Sequence, residues 1–336
     1  MNKPCRKEHI DVLRGIGIVL MIMGHVGFGG KFDRYIHSFH MPLFFLISGY
    51  LYNKKKDTGI KTLLIDKVKR FIVPYLFFGM VNYCFWLFLE RKEHFVFEPI
   101  SRLIWHNTQG LPICGAIWFL TALFWTSVFY ILIDRHITNK EIKNIVLLGI
   151  SFGLSVLQGT TEFTLPLSID IGIVGVGFYH IGRLFRNIED KVYNRITLKS
   201  VFWVTVLFVL LLLNCTITFL TPYINMKMRW YGVAPVFWFN ALIGTFAVYI
   251  FSVLVVECFF VHKLQFLKKS FTYIGRESLV FLGFNQLVIL LLEIFFERIS
   301  IAWLIVAIVK LGLTIALLIC LARLFENKKT RVLIGK

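Results

Sequence analysis

The chain has 336 residues, of which 57% are hydrophobic, 16% aromatic and only 17% charged. A soluble domain carries about 25% charged residues, so this composition excludes one, and the long apolar runs read as membrane spans. The net charge of +18 does not point to nucleic acid, because multi-span proteins collect Lys and Arg in their cytoplasmic loops.

Ten spans are predicted, at about 10–28, 36–52, 71–90, 115–134, 144–158, 164–182, 200–220, 236–258, 276–296 and 301–322. No linker or soluble insert divides them, so 1–336 reads as one all-α polytopic membrane domain. The opening MNKPCRKEHIDVLRGIGIVLMIMGH has a basic start and an apolar run but no small-x-small cleavage site. It reads as an uncleaved first span. Arg14 and His25 lie in this span, eleven residues apart. That is close to three helical turns, so both share one face, about 16 Å apart along the axis. An ionisable residue inside a membrane is a functional candidate by default, and histidine is the usual general base near neutral pH. The competing reading is a snorkelling arginine and a histidine satisfied by a neighbouring helix.

The second span carries His37 and His40 at its outer end, three residues apart and on one face. With His25 in the outer half of span one, the three histidines are expected at similar depth. Pro42 suits a helix start, and Gly49 suits close packing. The loop NKKKDTGIKTLLIDKVKR puts Lys67, Lys69 and Arg70 at the mouth of span three. They read either as flanking charge or as a cradle for phosphate. Trp118 near the start of span four reads as an interfacial anchor. Span six is Gly-rich, which lets a neighbour approach closely, and holds Asp170 and His180; span seven is apolar on all faces. Glu162 falls in an outer loop. Glu257, Glu277, Glu293, Asn240, Asn285 and Gln286 read as helix–helix hydrogen-bonding groups. Lys310 either snorkels or pairs with an acid such as Glu293.

The loops assign direction. One alternating set, including both termini, holds 27 Lys and Arg, and the other holds 8; Arg14 and Lys310 inside spans complete the 37. That split predicts cytoplasmic N- and C-termini and explains the basic excess without a nucleic-acid partner. The six cysteines show no CxxC or zinc-ligand spacing, so no disulfide and no structural metal is expected. There is no GxSxG elbow, P-loop or HExxH, which excludes the chemistries those motifs carry. The residues alone leave two main readings open, an enzyme and a transporter or flippase for a glycan or related polar solute. Against the second, no paired broken helices stand in two repeat halves. A non-catalytic scaffold is the blandest reading.

HIDVLRGIGIVLMIMGH followed by FHMPLFFLISGYLY resembles the opening of the acyltransferase 3 family of integral-membrane acyltransferases, in its fucose 4-O-acetylase-like branch. KVKRFIVPY, IWFLTALF and YIGRESLVFLGFNQ match further segments, so the resemblance runs from about 8 to 320. It implies transfer of an acetyl group from cytosolic acetyl-CoA to a carbohydrate hydroxyl on a surface polysaccharide, O-antigen, exopolysaccharide or lipid-linked precursor. It implies a multi-pass protein of the cell (inner) membrane, in contact with lipid, and it allows other polysaccharide-assembly proteins as partners. Arg14 and His25 fill the family's arginine–ten residues–histidine motif. His40 and Trp118 match recurring positions, and Arg70 matches the basic site before span three. Many relatives have a histidine where this chain has Asn285, so no catalytic role carries over there. Glu162 has no counterpart. On this reading Arg14, Lys69, Arg70 and Trp118 hold the donor and no metal takes part. The reaction centre is His25, with Arg14 and His40, and His25 acts as general base or as a transient acetyl carrier.

Overall fold

A computed structural model describes residues 7–53, 58–89, 97–105, 115–161, 164–257, 265–296 and 302–336. Glu162 and the cysteines at 5, 114 and 258 lie outside the described residues. Helix makes up 85% of the structure and no strand forms among the described residues, so the protein is an all-α polytopic membrane bundle. In chain order the helices are α1 (Glu8–Val26), α2 (Gly30–His37), α3 (His40–Tyr50), α4 (Ile60–Leu89), α5 (Glu98–Trp105), α6 (Trp118–His136) and α7 (Lys140–Gln158). There follow α8 (Ile169–Phe185), α9 (Glu189–Leu198), α10 (Ser200–Leu220), α11 (Ala234–Glu257), α12 (Gln265–Arg276), α13 (Ser278–Phe296) and α14 (Trp303–Leu324).

Eight helices among the described residues are long and apolar enough to cross a membrane: α1, α4, α7, α8, α10, α11, α13 and α14. Two expected spans differ from these. The segment 36–52 is broken at Ser38–Phe39, and its main part, α3, has 11 residues. At 1.5 Å per residue it is about 16 Å long, too short to cross alone. It is buried within the bundle instead. The segment 115–134 becomes α6, which at 19 residues has the length but is not among the eight. Its share of polar and aromatic side chains reflects its place among other helices.

Burial separates the bundle into centre and rim. α1, α8 and α11 have 67, 67 and 72% of their apolar windows buried, against 22, 17 and 22% for α7, α10 and α14. The rim helices turn Val201, Phe202, Phe208, Leu212, Ile305 and Ile308 outward, as lipid-facing surfaces should. Two backbone-to-backbone contacts fix the centre. A β-carbon at Gly15 would stand 2.1 Å from the Phe271 carbonyl oxygen, and one at Gly275 1.9 Å from that of Asp11. This pair seats α1 on α12. In the same way Gly49 faces the Tyr179 carbonyl oxygen at 1.8 Å and Gly182 that of Leu46 at 2.0 Å, which seats α3 on α8. Only glycine allows such approach. Lys310 pairs with Glu293 at 3.0 Å, joining α13 and α14.

The two chain ends meet at one end of the bundle. Arg276 pairs with Asp11 at 3.3 Å and Lys336 with Glu277 at 2.5 Å. At the same end Glu189, fully buried, accepts from His9 at 2.8 Å, Tyr249 at 3.0 Å, Tyr50 at 3.2 Å and from Lys7. One carboxylate thus ties together α1, α3, α9 and α11. Burial pushes its carboxyl up, but the bonds from His9 and Lys7 outweigh this and hold it at about 2, below its ordinary 4.5. A depressed carboxyl stabilises the fold above its unfolded value. The contribution, of order 3 kcal/mol, is therefore lost as pH falls from about 4.5 toward 2. Thermal unfolding in detergent should show the wild type losing stability across that window. Glu189→Gln should be less stable at neutral pH and flatter below it; a variant with the wild-type slope would remove this assignment.

Candidate functional site

α1 has Glu8 and Asp11 in its first turn, where acidic groups suit the helix dipole, and His25 in its last. Gly27, at φ 95°, ends it by returning its N–H to the Met23 carbonyl. Arg14 and His25 open into two different cavities. The one at the end where the termini meet has a volume of about 430 Å³ and is lined by Arg14, Lys67, Arg70, Arg276 and Lys336, with Asp66 the acidic member. Arg14 also donates to the Gly275 carbonyl at 3.5 Å. The other cavity, about 70 Å³, is lined by His25, His37, His40, Trp118, Asn225 and Lys227. Phe44, Phe119 and Leu282 line both. The Phe44 and Phe119 rings stand 5.7 Å apart. These three side chains form a single layer, or neck, between a basic chamber and a histidine pocket.

The basic chamber takes part of its lining from a π-helical turn at Val68–Ile72 in α4. Such turns recur at functional sites, where they shift side chains around the helix. Lys67 and Arg70, three residues apart, face the chamber together. Lys69 is exposed and does not line it, because its position points off that face. The donor set expected from sequence thus includes one residue, Lys69, that the structure leaves outside the chamber. It also lacked Arg276 and Lys336, which reach the chamber from the far end of the chain. Trp118, expected with the donor, stands instead in the histidine pocket, because α6 begins at that end of the bundle.

The three histidines do meet, and each is oriented. His40 is buried and its Nδ1 donates to the Ile36 carbonyl at 2.8 Å, which leaves Nε2 as its accepting nitrogen. His37 Nδ1 lies 2.9 Å from the Asp33 carbonyl and 3.2 Å from the Asp33 carboxylate. Tyr223 donates to the same carboxylate at 2.8 Å. Burial pushes the Asp33 carboxyl up, but the bonds from His37 and Tyr223 outweigh it and keep the group below its ordinary value. The His37 and His40 rings meet edge-on at 5.0 Å. His25 is the accessible member. Its Nδ1 lies 3.4 Å from Gln286 Nε2. Because the Gly115 N–H donates to Gln286 Oε1, the amide turns its NH₂ toward His25, so Nδ1 is the unprotonated nitrogen of the neutral ring. Gln286, read from sequence as a helix–helix contact, is a His25 partner. Among the described residues no cluster of three His, Cys, Asp or Glu is arranged to hold a metal ion.

The turn that carries Asn225 and Lys227 was not singled out by sequence. It lies between α10 and α11, and the one signal for it was a pair of basic residues on the side where basic residues are scarce. Asp170, noted in span six, explains its placement: Arg229 binds this fully buried carboxylate at 2.5 and 3.2 Å, and Gln158 donates to it at 2.7 Å. His180, the other polar group of that helix, bonds Asn144 at 2.9 Å and Tyr130 at 3.3 Å, away from both cavities.

The arrangement can do two chemical things. The chamber can hold a polyanion by its cations. The pocket offers an unprotonated ring nitrogen, His25 Nδ1, with Gln286 beside it. A family model described as an acyltransferase domain, acyltransferase 3, matches residues 8–323. No curated protein matches the chain.

Proposed function

The chain belongs to the acyltransferase 3 family and is a membrane acyltransferase; from that premise we propose that it moves an acetyl group from acetyl-CoA to a hydroxyl of a carbohydrate. The observation that carries this reading is the placing of Arg14 and His25 in two cavities on one face of α1, with Phe44, Phe119 and Leu282 lining both. Acetyl-CoA has a phosphate-rich end and a long, uncharged pantetheine arm. The phosphates would bind Arg14, Lys67, Arg70, Arg276 and Lys336. The arm would pass the neck and bring the thioester to His25, a span of about 16 Å along the helix.

At His25 the acceptor hydroxyl would replace Gln286 at Nδ1. A sugar hydroxyl is too weak an acid to lose its proton unaided at neutral pH, so a base is needed as the new bond forms. His40, fixed by Ile36, presents a second accepting nitrogen to the same pocket. The loop charges support a cytoplasmic chamber, with both chain ends on that side of the cell membrane. The acceptor would be a surface or lipid-linked glycan of the kind the fucose 4-O-acetylase-like branch modifies, and polysaccharide-assembly proteins would be neighbours.

The test is transfer of label from acetyl-CoA to glycan by the purified protein. In that assay Arg70→Gln should raise the KM for acetyl-CoA about tenfold, the loss of roughly 1.4 kcal/mol of charge-assisted bonding, with kcat nearly unchanged. Lys69→Gln, outside the chamber, should leave KM where it is. Equal effects of the two would argue against the chamber as the donor site.

A further inference from the structure

The segment that follows α14 packs back onto the wall of the basic chamber. A short helix, Lys328–Arg331, begins where the Asn327 side chain accepts from the Lys329 N–H, and it runs into a 3₁₀ turn, Val332–Ile334. The turn closes on itself. The Gly335 N–H donates to the Val332 carbonyl at 3.2 Å, and the Lys336 N–H to the Arg331 carbonyl at 3.0 Å. With Gly335 at a left-handed φ of 71°, this pair of bonds is a Schellman motif, which satisfies the last carbonyls of a helix. Ile334 is fully buried and anchors the turn in the core. Gly335 and Lys336 line the chamber.

The turn touches two walls of that chamber. On one side Lys336 Nζ donates to the Arg276 carbonyl at 2.7 Å and pairs with Glu277, where α12 gives way to α13. On the other side Gly335 lies on the π-helical turn of α4. A β-carbon at 335 would collide with the Arg70 carbonyl oxygen, and would stand 2.9 Å from Pro74 Cγ and 3.0 Å from the Arg70 carbonyl carbon. The atoms it meets are helix backbone, so they cannot swing aside as a side chain could. Arg70 is one of the chamber's cations. The direction of a helical side chain follows from the backbone that carries it, and a π-helical turn already departs from the regular α-helical course at this point. Gly335 is therefore packed against the stretch of backbone that aims the Arg70 guanidinium.

We propose that Gly335 is a positioning residue for donor binding: because it has no side chain, the turn can seat on the Arg70 carbonyl, and that seat aims the Arg70 guanidinium at the phosphates of acetyl-CoA. This rests on the acetyl-transfer reading above, in which those phosphates bind in the chamber. A charge-assisted bond to phosphate depends on the direction of the guanidinium N–H groups, so a small tilt of the backbone at Arg70 weakens it. Gly335 acts through Arg70 and away from the reacting atoms. Its effect therefore falls on the affinity for the donor and not on the chemical step.

The test uses inverted membrane vesicles from the producing strain, which carry its own glycan acceptors, with radiolabelled acetyl-CoA; thermal unfolding of each purified variant is measured alongside. Gly335→Ala should raise the KM for acetyl-CoA about fivefold and leave kcat within about twofold. In an Arg70→Gln background the same substitution should change KM by less than about twofold, because the group it acts through is gone. Gly335→Asn separates the backbone angle from the contact. Asparagine accepts a left-handed φ more readily than alanine but brings the same β-carbon, so it should unfold at a higher temperature than Gly335→Ala and keep the raised KM. If Gly335→Ala does not accumulate, the KM of Gly335→Asn decides alone. A wild-type KM in the accumulating variant would overturn the proposal. So would equal rises in KM with and without Arg70, or a fall in kcat at constant KM, the mark of a purely structural glycine. A Gly335→Asn variant that regains the wild-type KM as it regains stability would also overturn it, since the angle would then be the whole effect. Wild-type vesicles that put no label into glycan would instead overturn the acetyl-transfer reading, and this assignment with it.

Discussion

Replacing His25 by alanine should reduce acyl transfer by about 10³-fold, within the usual range for loss of a general base, while the protein remains folded. The two halves of this expectation have separate grounds. His25 is accessible, stands in the last turn of α1, and makes a long 3.4 Å contact to Gln286, so its removal disturbs little packing. Chemically, it is the accessible histidine of the pocket, with Gln286 Nε2 at its Nδ1. The result should read as a fall in kcat with an unchanged KM for acetyl-CoA, since under the proposed reading the donor's charged end would bind about 16 Å away along the helix. His40→Ala should show a different balance. That ring is buried and bonded to Ile36, so the variant should lose stability as well as rate. Full activity in purified His25→Ala would remove His25 from the chemistry.

Arg229→Met should cost roughly 3 to 5 kcal/mol of stability, the usual consequence of leaving one partner of a buried ion pair without the other. Asp170 is fully buried and Arg229 nearly so, with side-chain exposures of 0 and 11%. Gln158 cannot neutralise the remaining carboxylate. Thermal unfolding in detergent measures the loss, and the double variant Arg229→Met/Asp170→Asn should recover much of it, because no charge is then stranded. A double variant no more stable than Arg229→Met would remove this assignment of the ion pair.

The parts of this site that sequence revealed are those governed by local periodicity. Arg14 and His25 share a face because helices repeat every 3.6 residues, and His37 with His40 follows the same rule. The loop charges identified the basic end, where the structure gathers Lys67 and Arg70. That periodicity also could have separated Lys69 from its neighbours, since only residues three or four apart share a helix face. The residues that sequence passed over reach the site through tertiary contacts. Gln286 meets His25 across 261 positions, and Lys336 closes a chamber begun by Arg14 at the other end of the chain. Lys227 depends on Arg229 finding Asp170 on another helix, which no local pattern encodes. For the fold, hydropathy found the rim and most of the centre. Over 36–52 hydropathy alone did not reveal the break at Ser38–Phe39 or the burial of the 11-residue α3, because a short helix enclosed by other helices is as apolar as one that crosses lipid. Gly49 was the clue that this segment packs backbone to backbone.

The layer formed by Phe44, Phe119 and Leu282 has an electrical meaning. Solvent-filled space on either side conducts, so under the proposed orientation much of the membrane voltage would drop across this one thickness of side chains. Carrying a unit charge through it would involve about 2.3 kcal/mol per 100 mV. Acetyl and pantetheine are uncharged, so on the proposed reading they would thread it without coupling to the voltage, while the phosphates of CoA would stay behind. The layer would then act as an insulator that passes a chemical group and blocks current, and its apolar character would matter as much to the cell's ion gradients as to the transfer reaction.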